Sequence, residues 1–73
     1  MSYKIGDFVK IVSDNDYYDS FKEKVLIVTS IATNTDEHRG YDESMEGMQL
    51  LDLKTKRGKD IPFSLYEYEI ETT

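Results

Sequence analysis

The side chains that could do chemistry are unevenly supplied in this chain of 73 residues. Nucleophilic catalysis needs a base held beside its nucleophile, and the chain offers one histidine, His38, and no cysteine. His38 falls inside an acidic, turn-rich stretch, so no Ser/His/Asp set can be placed around it from the sequence. Carboxylates are abundant, but acid–base work needs a pair whose environments push their pKa values apart. A solvated acidic run supplies no such difference. No catalytic residue is expected, and the chain reads as a non-enzyme.

Metal binding has more raw material. Asp14, Asp16 and Asp19 lie close together, and Asp36, Glu37, Asp42, Glu43 and Glu46 crowd a second stretch. Calcium takes about six to eight oxygen ligands, which such loops can provide. The EF-hand spacing, however, fits neither stretch, and acidic runs more often simply face water. The expectation is no metal and no cofactor.

Two further groups carry recognition chemistry. Tyr17, Tyr18 and Tyr41 fall in segments with turn-forming composition, where a core role is hardest to justify. Aromatic side chains at such places suit protein interfaces. With Asp36, Glu37, Asp42 and Glu43 they form the candidate partner-binding set; the competing reading has the tyrosines capping the ends of the fold. Lys54, Lys56, Arg57 and Lys59 place four of the nine positive charges in one short stretch. They are the alternative, nucleic-acid-binding set, against the reading of a solvated turn.

The elements that must position these groups read as strands. From Tyr3 to Val12, Gly6-Asp7 marks a turn and the apolar residues after it favour a strand, with Val9 and Ile11 on one face and Phe8 and Val12 on the other. Ser13 to Ser20 is rich in residues that bond their own backbone and reads as a loop, with Phe21 turned inward to anchor its end. Lys24 to Thr33 is the most β-prone run, since β-branched side chains lose rotamer freedom in a helix. Asn34 to Gly47 is a long acidic loop with almost nothing to bury: either functional or a mobile insertion. Met48 to Thr55 is a strand, the turn after it places Gly58 where positive φ is needed, and Ile61 to Ser64 is a short strand whose Pro62 calls for an edge. At the end, Tyr66, Tyr68 and Ile70 alternate with Glu67, Glu69 and Glu71, which predicts a strand sending the carboxylates to water; a helical turn over Ser64 to Tyr66 would delay its start.

Bulk properties narrow the class. A chain this short buries only about 60% of its unfolded surface, so a few short strands must share one core. No apolar run approaches the roughly 18 residues of a membrane span. Without cysteine, an intracellular, cytoplasmic setting is favoured. The net charge of −6 repels polyanions at long range, which makes nucleic acid a poor partner for the chain as a whole.

Five short strands in this order, with Gly6-Asp7-Phe8-Val9 opening the first, Val25 to Ile31 as the second and Leu65 to Ile70 closing the set, resemble SH3-like barrels of bacterial and phage type, including the KOW family. The resemblance implies one all-β, five-stranded barrel over residues 1–73, with the acidic loop between strands two and three and a short 3-10 turn before the last strand. Leu65-Tyr66-Glu67-Tyr68 is similar to the tyrosine string of eukaryotic SH3 domains, but it lies at the opposite end of the chain, and no tryptophan accompanies it. Polyproline binding is therefore not implied. The expected function is a non-catalytic protein-interaction module, as a monomer or weak homodimer with an unknown protein partner. The alternatives are a nucleic-acid-associated barrel using the basic turn, or an acidic mimic of nucleic acid that inhibits a partner.

Overall fold

The computed structural model describes residues 2–73. Five strands form: β1 (Phe8–Ile11), β2 (Leu26–Ala32), β3 (Leu50–Thr55), β4 (Asp60–Tyr66) and β5 (Ile70–Thr72). They make one antiparallel sheet in the order β4-β3-β2-β1-β5. The remaining regular structure is three short 3-10 segments, Asp16–Phe21, Glu43–Met45 and Glu67–Glu69. Among the described residues no helix is long and apolar enough to cross a membrane.

The sheet has two bulges, one between Val28 and Ser30 and one between Asp52 and Lys54. A bulge adds local twist, which lets a short sheet coil around its own side chains. Each strand sends residues into a single core: Val9 and Ile11, Leu26 and Val28, Leu51 and Leu53, Ile61 and Leu65, and Ile70. Full burial of one such side chain contributes about 1.5–3 kcal/mol, so this cluster is the main support of the fold. The turn from β3 to β4 closes with the Thr55 amide donating to the Lys59 carbonyl at 2.8 Å, and Gly58 takes φ +90° as expected. Pro62 is exposed on the edge strand β4, where its missing N–H leaves no ladder bond unmade.

Several expectations are corrected. The first strand does begin after the Gly6-Asp7 turn, at Phe8, but Tyr3 before it is a core residue, its hydroxyl donating to the Ile70 carbonyl at 3.0 Å. The loop after β1 is wound into 3-10 turns, started by the Asn15 side chain accepting from the Tyr17 amide at 2.9 Å. The alternation from Tyr66 to Glu71 is not one strand. Glu67–Glu69 is a 3-10 turn, and the helical turn considered over Ser64 to Tyr66 is strand instead. The carboxylates explain this. Glu67 accepts from the Gln49 amide at 2.7 Å and Glu69 from the Tyr66 amide at 3.0 Å, so both bind backbone donors of the turn and of β3's approach. Glu71 alone behaves as a strand-surface residue, paired with Lys10 at 3.2 Å. Tyr68 is thereby left 58% exposed.

The acidic loop is also not empty. Leu50 and Leu51 are consecutive in β3 and face opposite sides of the sheet. Leu51 enters the main core, while Leu50 joins Ala32 and Tyr41 in a second buried cluster, backed by Met45 and Tyr66.

Candidate functional site

Three groups of side chains compete for a functional role. The first is an aromatic cluster built on the 3-10 segment Asp16–Phe21 and strand β4. Phe63 lies 4.7 Å from Tyr18, 5.4 Å from Tyr17 and 5.5 Å from Phe21, ring centre to ring centre, and Tyr17 meets Tyr18 edge-on at 5.7 Å. Edge-to-face and tilted pairs at such separations are attractive beyond the area they bury. Tyr18 and Phe21 also pack on the main core, so the segment is anchored. Tyr17 remains 70% exposed on top of that support. Burial, followed by the charge and hydrogen bond of Glu69, raises the Tyr18 phenol to about 12. Through Glu69 the cluster adjoins the last 3-10 turn, where Tyr68 stacks parallel to Tyr66 with centres 6.3 Å apart.

The other members of the expected partner-binding set separate. Tyr41 is 6% exposed; its ring packs edge-on against Tyr66 at 5.6 Å and its hydroxyl lies 2.6 Å from the carbonyls of both Met45 and Met48. It is a core residue and cannot be presented to a partner. Glu37 is held by the amide and hydroxyl of Thr33, and Asp42 by the amide and hydroxyl of Ser44. Those bonds, the backbone one foremost in each case, lower both carboxyls below their usual range. Both are acidic surface residues with local structural work. Asp36 and Glu43 are exposed, with no side-chain partner among the described residues.

The second group escaped sequence reasoning. Asp52 in β3 is the register partner of both Ser30 in β2 and Ser64 in β4. It accepts from the Ser30 hydroxyl at 2.6 Å and from the Ser64 hydroxyl, and His38 descends from the loop to place Nε2 3.2 Å from Asp52 and 3.1 Å from Ser64. Burial opposes the charge on Asp52, but the bonds from Ser30, Ser64 and His38 outweigh it and hold the carboxyl below its usual range. A serine, a histidine and an aspartate thus do meet, contrary to expectation. Their order is not that of a nucleophile relay. The Gly40 amide donates to Nδ1 at 2.9 Å, so the ring proton sits on Nε2 and points at Asp52 and Ser64. In that tautomer the His38 Nε2–H donates toward Asp52 and Ser64, and the Ser64 hydroxyl donates its own hydrogen bond to the carboxylate. The arrangement ties the loop to the sheet.

The third group is basic. Lys24, Val25, Thr55, Lys56, Arg57 and Lys59 line a depression of about 550 Å³ between the start of β2 and the β3–β4 turn. Lys54, expected to belong to this set, lies outside the lining, and Lys24 takes its place. Among the described residues no group of three or more His, Asp or Glu side chains is arranged to hold a metal ion.

No protein-family profile matches the chain, and no curated protein and no solved structure resembles it significantly. The geometry alone therefore defines it as a small all-β domain with an aromatic surface cluster, a hydrogen-bonded Ser–His–Asp tie and a basic depression.

Proposed function

We propose that this chain is a non-catalytic protein-interaction module on an SH3-like barrel, and that Tyr17, Tyr18 and Phe63 are the centre of its docking surface. The barrel reading is supported by β4 and β5, which occupy opposite edges of the sheet yet follow each other in the chain through one 3-10 turn. It is supported also by the single core that all five strands feed.

One observation carries the functional reading: Tyr17 is 70% exposed although its backbone and the ring beneath it are fixed. A rigid aromatic side chain lost little entropy in being placed there, and gives a partner large contact area. Asp14, Asp16 and Asp19 are exposed around it, and the chain carries a net charge of −6. The complementary occupant is a protein segment with apolar side chains flanked by Lys or Arg.

A photo-crosslinking residue at position 20, exposed on the same 3-10 segment, in the chain expressed in its native host, tests this. The expected product is a single protein joined through a Lys/Arg-rich segment, with the adduct failing to form when irradiation is done at high salt or in the Tyr17→Ala background. A partner that binds Tyr17→Ala as tightly as the parent chain would sink the proposal.

A further inference from the structure

The basic depression is lined by none of the docking-surface residues, although Lys24 at its rim lies over Phe21, which packs on Phe63. Lys24, Lys56, Arg57 and Lys59 bring four cations around one hollow in a chain with a net charge of −6. The lining holds no acid, although Glu23 and Asp60 flank it in sequence. Among the described residues the ion pairs are Lys10–Glu71, Lys22–Asp19 and His38–Asp52, and none of the four lining cations belongs to them. Two are held over aromatic faces: Lys24 lies 5.5 Å from the Phe21 ring centre and Lys56 5.9 Å from that of Phe8. Such contacts keep an ammonium in place while leaving its charge available.

We propose that this depression is a binding site for a small molecule carrying a pyrophosphate group. The charge count favours a multiply charged anion, since one carboxylate would leave most of the cations unneutralised. Arg57 supplies a planar fork for bidentate contact with phosphate oxygens, and the lysines supply mobile point charges. Size favours a compact ligand: about 550 Å³ lies within the range of small-molecule sites. Net charge disfavours a long polyanion, whose outlying phosphates would meet an acidic surface. A compact anion is spared this, because the molecule measures 29 × 24 × 22 Å. Charges on its far side lie beyond a screening length of about 8 Å at physiological salt.

Titration of the ¹⁵N-labelled chain with sodium pyrophosphate at constant ionic strength, followed by amide chemical shifts, tests the site. Saturable shifts confined to Val25 and the turn from Thr55 to Lys59 are expected. The double variant Lys56→Ala, Arg57→Ala removes two charge-assisted contacts and should weaken binding by about tenfold or more. Lys10→Ala, which removes a cation elsewhere on the surface, should leave it unchanged. Absence of saturable shifts would overturn the proposal, as would equal shifts from sulfate at the same concentration. A short single-stranded oligonucleotide binding more tightly than pyrophosphate, with affinity that grows with its length, would overturn it in favour of a nucleic-acid track.

Discussion

His38 Nε2 lies 3.2 Å from Asp52 Oδ1, and this contact pins the loop after β2 to the middle of the sheet. It decides both how that loop is held and what the only imidazole of the chain can do. With the Gly40 amide on Nδ1, the neutral ring must carry its proton on Nε2. The ¹⁵N shifts of the neutral imidazole should therefore show a protonated Nε2 and a bare Nδ1. The opposite tautomer would mean that the tie is not formed and that His38 is free to accept a proton from Ser64.

Asp52 makes stability depend on acid. Its folded-state pKa lies below the ordinary value, so the folded chain binds fewer protons there than the unfolded chain. Its contribution is complete above the ordinary carboxyl range and is lost as pH falls through the lowered folded value. Asp52→Ala should cost about 1–2 kcal/mol at pH 7, a modest figure because the side chain is partly in water. Denaturant melts should show that the gap between parent and variant shrinks toward pH 3. A gap unchanged with pH would mean that the carboxylate charge plays no part.

At the other end of the scale, the Tyr18 phenol is raised to about 12 by burial and by Glu69. A raised folded pKa stabilises the fold fully below the ordinary tyrosine value of about 10, and that contribution fades as pH climbs toward 12. Ultraviolet titration should show a late-ionising tyrosine that is missing in Tyr18→Phe, and the parent chain should lose its added stability over the same interval.

Tyr41 should behave as a core residue. Tyr41→Phe removes only the hydroxyl shared by the Met45 and Met48 carbonyls and should cost about 1 kcal/mol. Tyr41→Ala also empties the second cluster and should cost about 3–5 kcal/mol. Amide exchange across residues 34–47 should quicken in both, more so in the alanine variant. Unchanged stability in Tyr41→Ala would return this ring to the surface.

Gly58 sits at φ +90° with open space where a side chain would project. Gly58→Ala should therefore cost about 1–3 kcal/mol through backbone strain alone, with no steric clash to relieve. A thermal melt of the variant measures it, and an unchanged midpoint would mean that the turn adopts another conformation.

The strands, the Gly58 turn and the edge position of Pro62 were legible in the residues because each follows from chain-local causes. β-branched runs exclude helix, glycine alone takes positive φ readily, and proline lacks a donor. Phe8 and Val12 on the wet face, with Val9 and Ile11 beneath, follow from the two-residue period of a strand. The exposed Tyr17 and the basic turn were visible as types at positions.

What only the tertiary structure decided are the relations between distant residues. The period of two ran on through Glu67 and Glu69, but these carboxylates found backbone donors at Gln49 and Tyr66 and wound the chain into a turn. Tyr41 looked like a loop aromatic until Ala32 and Leu50 offered it an apolar face. Ser64 and Asp52 are twelve residues apart and become neighbours only through strand register, while His38 reaches them because a loop folds back. Lys24 likewise joins the basic turn from another strand's start. Except for the short-range bond of Glu69 to the Tyr66 amide, the deciding contact in each case joins residues distant in sequence, and such contacts are not encoded in local pattern.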